Sequence, residues 1–245
     1  MTMNCSTVQG RCQRFPDRGR LSKNTNLSFL ELKRQLKGVN EGLIYSYVVT
    51  TVERDDHGTL CQKGSAPNFH GGIITLCTCK WRMRSWRSPE CWSGVWIAGI
   101  CSKDTAQNSL FYLMKVSEAY RSHFELWNDL SPRIRKAKAA HKHRHGDLFK
   151  PKHNHLSDKD ETNPKMYVPP CSDHMHAGEE GWHDDIRYVG KSETSAALLV
   201  GDPVYSFLWR RPKVQLIHPK GKSFTQGSRK WDLDEFVNSL SKGIA

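Results

Sequence analysis

The feature that most restricts the fold is a set of apolar runs of strand length, separated by polar loops. Residues 43–50, 72–79, 95–101 and 110–116 each hold enough β-branched, aromatic or aliphatic side chains for one strand. The first run is apolar at successive positions, which predicts a central strand buried on both faces. Only residues 102–109 join the last two runs, which predicts a β-hairpin. The first half of the chain is therefore predicted to contain a β-sheet core.

Segments with the apolar spacing of an α-helix precede and follow this core. Residues 27–36 carry apolar side chains at near-helical intervals, with Asn26 or Ser28 as the N-cap. The same spacing returns at 118–127, and Asp232 is placed to cap a C-terminal helix. The chain is therefore predicted to be α+β, with a small mixed or barrel-like sheet and flanking helices. Further short strands are predicted at 196–200, 204–209 and 214–217.

Composition divides the chain into three stretches. Residues 1–40 are predicted to be a flexible basic arm followed by a short helix, with 1–26 as the flexible part. Residues 41–245 are predicted to form a single α+β domain. Within it, residues 131–194 are read as a long loop-rich insertion, because they are polar and rich in His, Gly and basic side chains.

The charge of the chain favours a polyanionic partner. Its formal net charge is +12 with a pI near 9.4. Neutralising phosphates supplies affinity that does not depend on nucleic acid sequence. Residues 133–152 concentrate lysine and arginine and are predicted to engage a phosphate backbone. A basic stretch that only aids solubility is the simpler alternative.

The cysteines and hydropathy predict a cytoplasmic protein without a membrane segment. The N-terminus lacks the apolar core of a secretory signal, and no apolar run is long enough to cross a bilayer. Reduced thiols are the expectation in that compartment. Cys77 and Cys79 would share one face of a strand as small core residues.

Several short motifs, in order, resemble the second of the nucleotide-modification-associated domain families. The resemblance covers roughly residues 43–216 and implies a role in modifying bases in DNA. It also implies a nucleic acid or nucleotide as the partner, with DNA ahead of RNA. The motifs are Tyr45-Ser46-Tyr47-Val48-Val49, Ala66-Pro67-Asn68-Phe69, Thr75-Leu76-Cys77-Thr78-Cys79-Lys80, Trp96-Ile97-Ala98-Gly99 and Met114-Lys115-Val116-Ser117-Glu118, with later blocks at Tyr120–Asp129 and His145–Phe149.

The sequence departs from this family at one carboxylate. Where the family tends to have Gly-Asp-Trp, this chain has Gly94-Val95-Trp96, so any role of that aspartate is lost. The order of strands is also similar to PUA-like barrels, which bind RNA or modified bases in a cleft. That second similarity concerns architecture only.

With the resemblance in view, the polar residues at strand ends and in loops become candidates for one binding cleft, floored by residues 66–118. An asparagine can read a base edge or ribose, and a lysine can bind phosphate. Asp147 and Lys80 are the predicted catalytic residues, with the carboxylate as base or hydroxyl acceptor. The alternative is that Asn68 and Asp147 shape turns and that the lysines are only solvated. The predicted nucleotide-binding residues are Asn68, Lys80, Ser102, Lys103 and Trp81.

Aromatic and basic residues alternate from Trp81 to Arg87, which suits stacking on an unpaired or flipped base. Packing of the indoles beneath the loop is the alternative. Cys171, His174 and His176 have a spacing that fits no standard zinc finger or deaminase pattern, so no metal is assigned. His141, His143 and His145 are read as part of a basic, solvated segment. No cofactor motif is present, and the cofactor is left unknown.

The sequence thus predicts a protein that binds nucleic acid or nucleotide and acts in DNA base modification. Two alternatives stay open beside it: a PUA-like reader of modified bases without chemistry, and an RNA-binding accessory protein. Whether the chain is an enzyme is left open.

Overall fold

The computed structural model describes residues 12–39, 41–174, 180–187 and 195–243. Its strands are β1 Leu43–Val48, β2 Val52–Arg54, β3 Leu60–Gln62, β4 Thr75–Leu76, β5 Trp96–Ile100, β6 Leu110–Tyr120, β7 Leu198–Leu208, β8 Val214–Leu216, β9 Arg229–Asp232 and β10 Leu240–Lys242. Its helices are α1 Arg20–Lys23, α2 Phe29–Leu36, α3 Trp81–Arg84, α4 Lys103–Ala106, α5 His123–Asp129, α6 Pro132–Lys138, α7 Asp158–Glu161, α8 His183–Arg187 and α9 Leu233–Asn238.

Six strands form a mixed sheet in the order β4-β7-β6-β5-β1-β9. β1 lies parallel to β5 and antiparallel to β9, so the predicted central position of β1 is confirmed. β5 and β6 form the predicted antiparallel hairpin, with an irregularity at Gly99/Ile100. The sheet ends at β4 and β9, so it is open and forms no closed barrel in the part of the chain that is described. Two-stranded sheets, β10-β8 and β2-β3, complete the α+β fold.

The chain divides into two compact units. The first comprises residues 1–14, of which 12–14 are described, with 64–93 and 117–200; the second comprises 15–63, 94–116 and 201–245. In the second unit, α2 and α9 bury their apolar faces in a core rich in tryptophan. The indole N–H of Trp231 donates to Ser46 Oγ at 2.7 Å, which satisfies both polar groups inside this core.

The first unit holds two buried clusters. One gathers Leu126, Leu130, Leu148 and Leu198. The other gathers Phe149, Tyr167, Trp182 and Ile186. The second cluster falls inside residues 131–194, which were predicted to be loop-rich, and α6, α7 and α8 also lie there. Its apolar residues are too far apart in sequence to form a periodic pattern, although they pack together in space.

Several predicted boundaries differ from the structure. The strand expected at 72–79 is only β4, and the helix expected from residue 118 begins at His123 because β6 continues to Tyr120. Two strands expected around Pro203 are the single strand β7. There the Asp202 carboxylate accepts hydrogen bonds from the backbone N–H groups of Val204 and Tyr205, so the chain stays extended past the proline.

Within residues 12–26 the structure has helix α1, and Gln13 and Leu21 are buried. Residues 1–11 of the predicted arm lie outside the described residues. Cys77, Cys79, Cys91 and Cys101 are free thiols, as predicted, whereas the remaining described cysteines are disulfide-bonded: Cys12, Cys61 and Cys171. Their wide sequence separation gave no sign of this.

Helix α2 begins with a complete capping box. Ser28 Oγ accepts from the Glu31 N–H at 3.3 Å, and Glu31 Oε2 accepts from the Ser28 N–H at 2.7 Å. We expect Ser28→Ala to lower the free energy of unfolding by about 1 kcal/mol, because it leaves a first-turn N–H without its acceptor. Ser28→Asp retains an acceptor and should unfold near the wild type in urea. Equal midpoints for Ser28→Ala and wild type would contradict this.

Candidate functional site

A small cavity opens beside helix α6 in the first unit. The helix begins with proline at its first position, where the missing N–H is not needed. The cavity, here called the α6 pocket, has a volume of about 160 Å³. It is lined by Trp127, Pro132, Arg135, Lys136, Ala139, His141, Lys142 and Lys150.

The α6 pocket is strongly cationic. Four of its lining side chains are lysine or arginine, and none of the described residues that line it is acidic. Burial lowers the pKa of His141, and the charges of Lys150 and Lys142 lower it further. The His141 imidazole is therefore neutral near pH 7, and the lysines around it give the pocket a positive electrostatic potential. Positive potential of this kind attracts phosphate groups.

Arg135 is oriented by the tryptophan that forms one wall of the pocket. Its Nη1 donates to the backbone oxygen of Trp127 at 3.3 Å, and its guanidinium lies 5.7 Å from the centre of the indole. These two contacts use one of five N–H donors and one face of the guanidinium. The remaining donors are available for a ligand.

Lys138, on the same helix, is fully buried. Its three N–H donors are shared among four oxygens: Asn68 O at 3.1 Å, Asn68 Oδ1 at 3.0 Å, Ile73 O at 3.0 Å and Thr75 Oγ1 at 2.9 Å. Burial lowers the pKa of Lys138 to about 8, while Asp147 and Cys77 oppose that shift. A buried cation is tolerated only with such a set of acceptors. Lys138 therefore ties α6 to residues 68–75.

Thr75 extends this network to Asp147. The Thr75 hydroxyl accepts from Lys138 and donates to Asp147 Oδ2 at 2.8 Å. Burial raises the pKa of Asp147, and the Lys138 charge opposes the rise. Asp147 and Asn68 both have no exposed surface. In addition, Asn68 Nδ2 donates to the backbone oxygen of His145 at 2.6 Å.

Two glycines lie where α6 and the segment after it pack against the Asn68 loop. Gly71 has φ +80°, a left-handed backbone conformation that favours glycine, and a Cβ there would make only ordinary contacts with Ile134 and Ala137. Gly146 permits a closer approach, because its Cβ would lie 2.3 Å from Cα of Ala140. Both glycines therefore fix the position of the segment from α6 to Asp147.

The histidines that follow α6 are not solvated, contrary to expectation. His143 and His145 are buried, and their rings lie 5.0 and 6.3 Å from the ring of His70. Burial, with the charges nearby, lowers the pKa of His70 to about 3. His143 Nε2 lies 2.8 Å from the backbone oxygen of Ala137 and donates to it. Burial also lowers the pKa of His143.

A buried arginine fixes the loop that carries Lys80 and Trp81. The Arg84 guanidinium donates to four backbone oxygens, those of Cys79, Thr78, Ala196 and Ala197. Lys80 is half-buried with φ 61° and precedes α3, and burial lowers its pKa. The Arg82 guanidinium lies 5.0 Å from the centre of the Trp81 ring.

The other predicted binding residues lie in the second unit. Ser102 caps α4: its hydroxyl accepts from the Thr105 N–H at 3.1 Å and donates to Thr105 Oγ1 at 2.8 Å. Lys103 is exposed at the first position of that helix. Of the predicted residues, the network joins Asn68 to Asp147 through Lys138 and Thr75. A direct role in ligand binding for all of them stays a prediction.

The sequence located the basic segment 133–152 but did not show which of its residues line the pocket and which are buried. It missed Trp127 as a wall of the pocket and Lys138 as a buried cation. Helical spacing was the available signal, since Ile134 and Lys138 are four residues apart and share one face of α6. Among described residues, no group of three or more His, Cys, Asp or Glu side chains could hold a metal ion. His176, named in the weighed zinc cluster, lies outside them.

The chain has an α+β fold, and its described residues form a cationic cavity with one aromatic wall. Residues 42–166 match the model of nucleotide modification associated domain 2, over just more than half of the chain. The chain therefore belongs to that family. The matched region includes the whole α6 pocket and the Lys138 network. No curated protein and no solved structure matches the chain significantly. None of the helices described is both long and apolar enough to span a bilayer.

We expect Lys138→Met to lower the free energy of unfolding by about 3–5 kcal/mol, because it removes the donor to four buried oxygens. Lys136→Met is the matched control: it removes an exposed lysine of the same helix and should change stability by less than about 0.5 kcal/mol. Denaturant unfolding of both variants measures the difference. Similar stabilities for the two variants would show that the network contributes little.

His123 should make the protein acid-labile. It is buried, its Nδ1 accepts from the Phe149 N–H at 3.3 Å, and burial lowers its pKa to about 3. The unfolded state, with a histidine pKa of about 6.5, then binds the extra proton, so stability falls as pH drops from 6.5 towards 3. The free energy of unfolding is expected to change by about 1.4 kcal/mol per pH unit for each such proton.

His123→Asn retains an acceptor near the Phe149 N–H but does not titrate in this range. Between neutral pH and pH 5, the free energy of unfolding of this variant should therefore fall less steeply with pH than that of the wild type. The difference in slope should equal the contribution of about one proton. An unchanged slope would mean that His123 is protonated in the folded state.

Proposed function

We propose that this chain binds nucleic acid in the course of nucleic acid modification, and that the α6 pocket holds a phosphate group of the strand. The observation that carries the proposal is the convergence of Arg135, Lys136, Lys142 and Lys150 around one cavity with an indole wall. Cations neutralise the phosphate, and an aromatic face accepts a neighbouring base or sugar. Membership of the nucleotide modification family supports a nucleic acid or nucleotide as the ligand.

Lys80 and Trp81 form a second contact in this proposal. Both are only partly buried, and the adjacent Trp86 is 53% exposed. An exposed indole next to arginine suits stacking on an unpaired base, which contributes about 1–3 kcal/mol per base. DNA remains the first expectation for the strand, with Ser102 and Lys103 as further candidate contacts from the second unit.

Asn68 and Asp147 have a supporting role here. Neither side chain reaches the surface, and both act on Lys138, directly or through Thr75. Asp147 would become a catalytic base only in a conformation that exposes it. A reader of modified bases or an RNA-binding accessory protein would use the same pocket. Mass spectrometry of nucleosides, after incubation of DNA with candidate donors, separates an enzyme from such a reader.

Binding of a single-stranded oligonucleotide should weaken with salt, by a slope of about 0.7 in log affinity against log salt for each phosphate contact. We expect the double variant Lys136→Met/Lys150→Met to lose about tenfold in affinity and to reduce that slope by about 1.4. Fluorescence anisotropy over a salt series measures both quantities.

The matched control is Lys159→Met/Lys165→Met, which removes two exposed lysines of the same unit outside the pocket. Its slope should equal that of the wild type. Equal losses of affinity in both double variants would mean that binding depends on net charge alone. If the wild type binds no oligonucleotide, or binds it independently of salt, the proposal fails.

A further inference from the structure

The α6 pocket has room for one phosphate group. Its volume of about 160 Å³ corresponds to the liquid volume of roughly five water molecules. Pockets that enclose a drug-sized ligand are larger, at about 300–1,000 Å³. A single phosphate group fits this space. The pocket is open to solvent, so the base and sugar of a bound strand can extend out of it, against its aromatic wall or beyond it.

The charge in the pocket exceeds what an internal phosphodiester requires. Each diester carries one negative charge, whereas a terminal phosphomonoester carries about −1.5 to −2 at pH 7. Four cationic side chains line the pocket, and none of its described lining residues is acidic. Mutual repulsion among Arg135, Lys136 and Lys150 is relieved more completely by the dianion than by a diester.

The donors also suit a group with three free oxygens. Arg135 is fixed against Trp127 and presents its remaining N–H donors as a rigid fork, which matches two phosphate oxygens at once. The lysines act as mobile point charges around it. A diester leaves only two unesterified oxygens for these donors.

We propose that the α6 pocket receives the terminal phosphomonoester of a nucleic acid strand in preference to an internal phosphodiester. This inference rests on the proposed function, because it takes the ligand to be a nucleic acid. It assigns Arg135 as the positioning fork, and Lys136 and Lys150 as the charges that distinguish a dianion from a monoanion.

The experiment compares strands of equal charge. One single-stranded DNA carries a 5′-phosphate, a second carries the phosphate at its 3′ end, and a third has hydroxyl ends but is two nucleotides longer. The longer strand balances the charge of the terminal dianion. We expect one of the phosphate-ended strands to bind the wild type about tenfold more tightly than the hydroxyl-ended strand.

Two variants test whether the preference comes from the pocket. Lys136→Met/Lys150→Met should bind all three strands alike, whereas the control Lys159→Met/Lys165→Met should keep the wild-type preference. Circular dichroism confirms that both variants are folded. A preference that survives in the pocket variant would overturn the assignment to the pocket.

The remaining outcomes separate this inference from the function on which it rests. Equal, salt-dependent binding of all three strands by the wild type would overturn the inference and leave the proposed function standing. If no strand binds, both fail. Inorganic phosphate, titrated at constant ionic strength, should displace the preferred strand. If inorganic phosphate binds but no phosphate-ended strand is preferred, the pocket serves small phosphomonoesters and the strand-end assignment is wrong.

Discussion

The buried ammonium of Lys138 is the interaction on which the first unit depends. A cation without solvent contact needs a complete set of acceptors, and residues 68–75 supply all four of them. Thr75 extends the network to Asp147, because its hydroxyl accepts from Lys138 and donates to Asp147 Oδ2. Because each member holds the next in place, the position of α6, and with it the wall of the pocket, follows from this one network.

The predictable part of the fold is the part with local patterns. β1, β5 and β6 were expected because each is a run of strand-forming residues, and α2 was expected because its cap and apolar spacing agree. The unpredictable part depends on contacts between distant residues. β4 is short although its sequence favours a longer strand. The packing of Phe149, Tyr167 and Trp182 has no periodic signature, because these residues come from separate segments.

The candidate site shows the same division. Composition was sufficient to locate the basic segment 133–152, since charge density is visible in a sequence. It did not reveal that Lys138 faces inward while Lys136, two positions earlier, faces the pocket. That distinction needs the helix to be placed against the Asn68 loop, through the contacts of Lys138 with Asn68. The relation between Asn68 and Asp147 likewise arises only in three dimensions, because a buried lysine bridges them.

The two turns of helix α6 carry both structural side chains and side chains that face the pocket. Its inward positions carry the contacts that hold the fold, and its outward positions carry the charges that a ligand would meet. Residues at the outward positions can therefore be exchanged during evolution without disturbing the buried network, whereas the inward positions tolerate little change. Members of one family could thus diverge in the anion that they recognise while keeping the same scaffold.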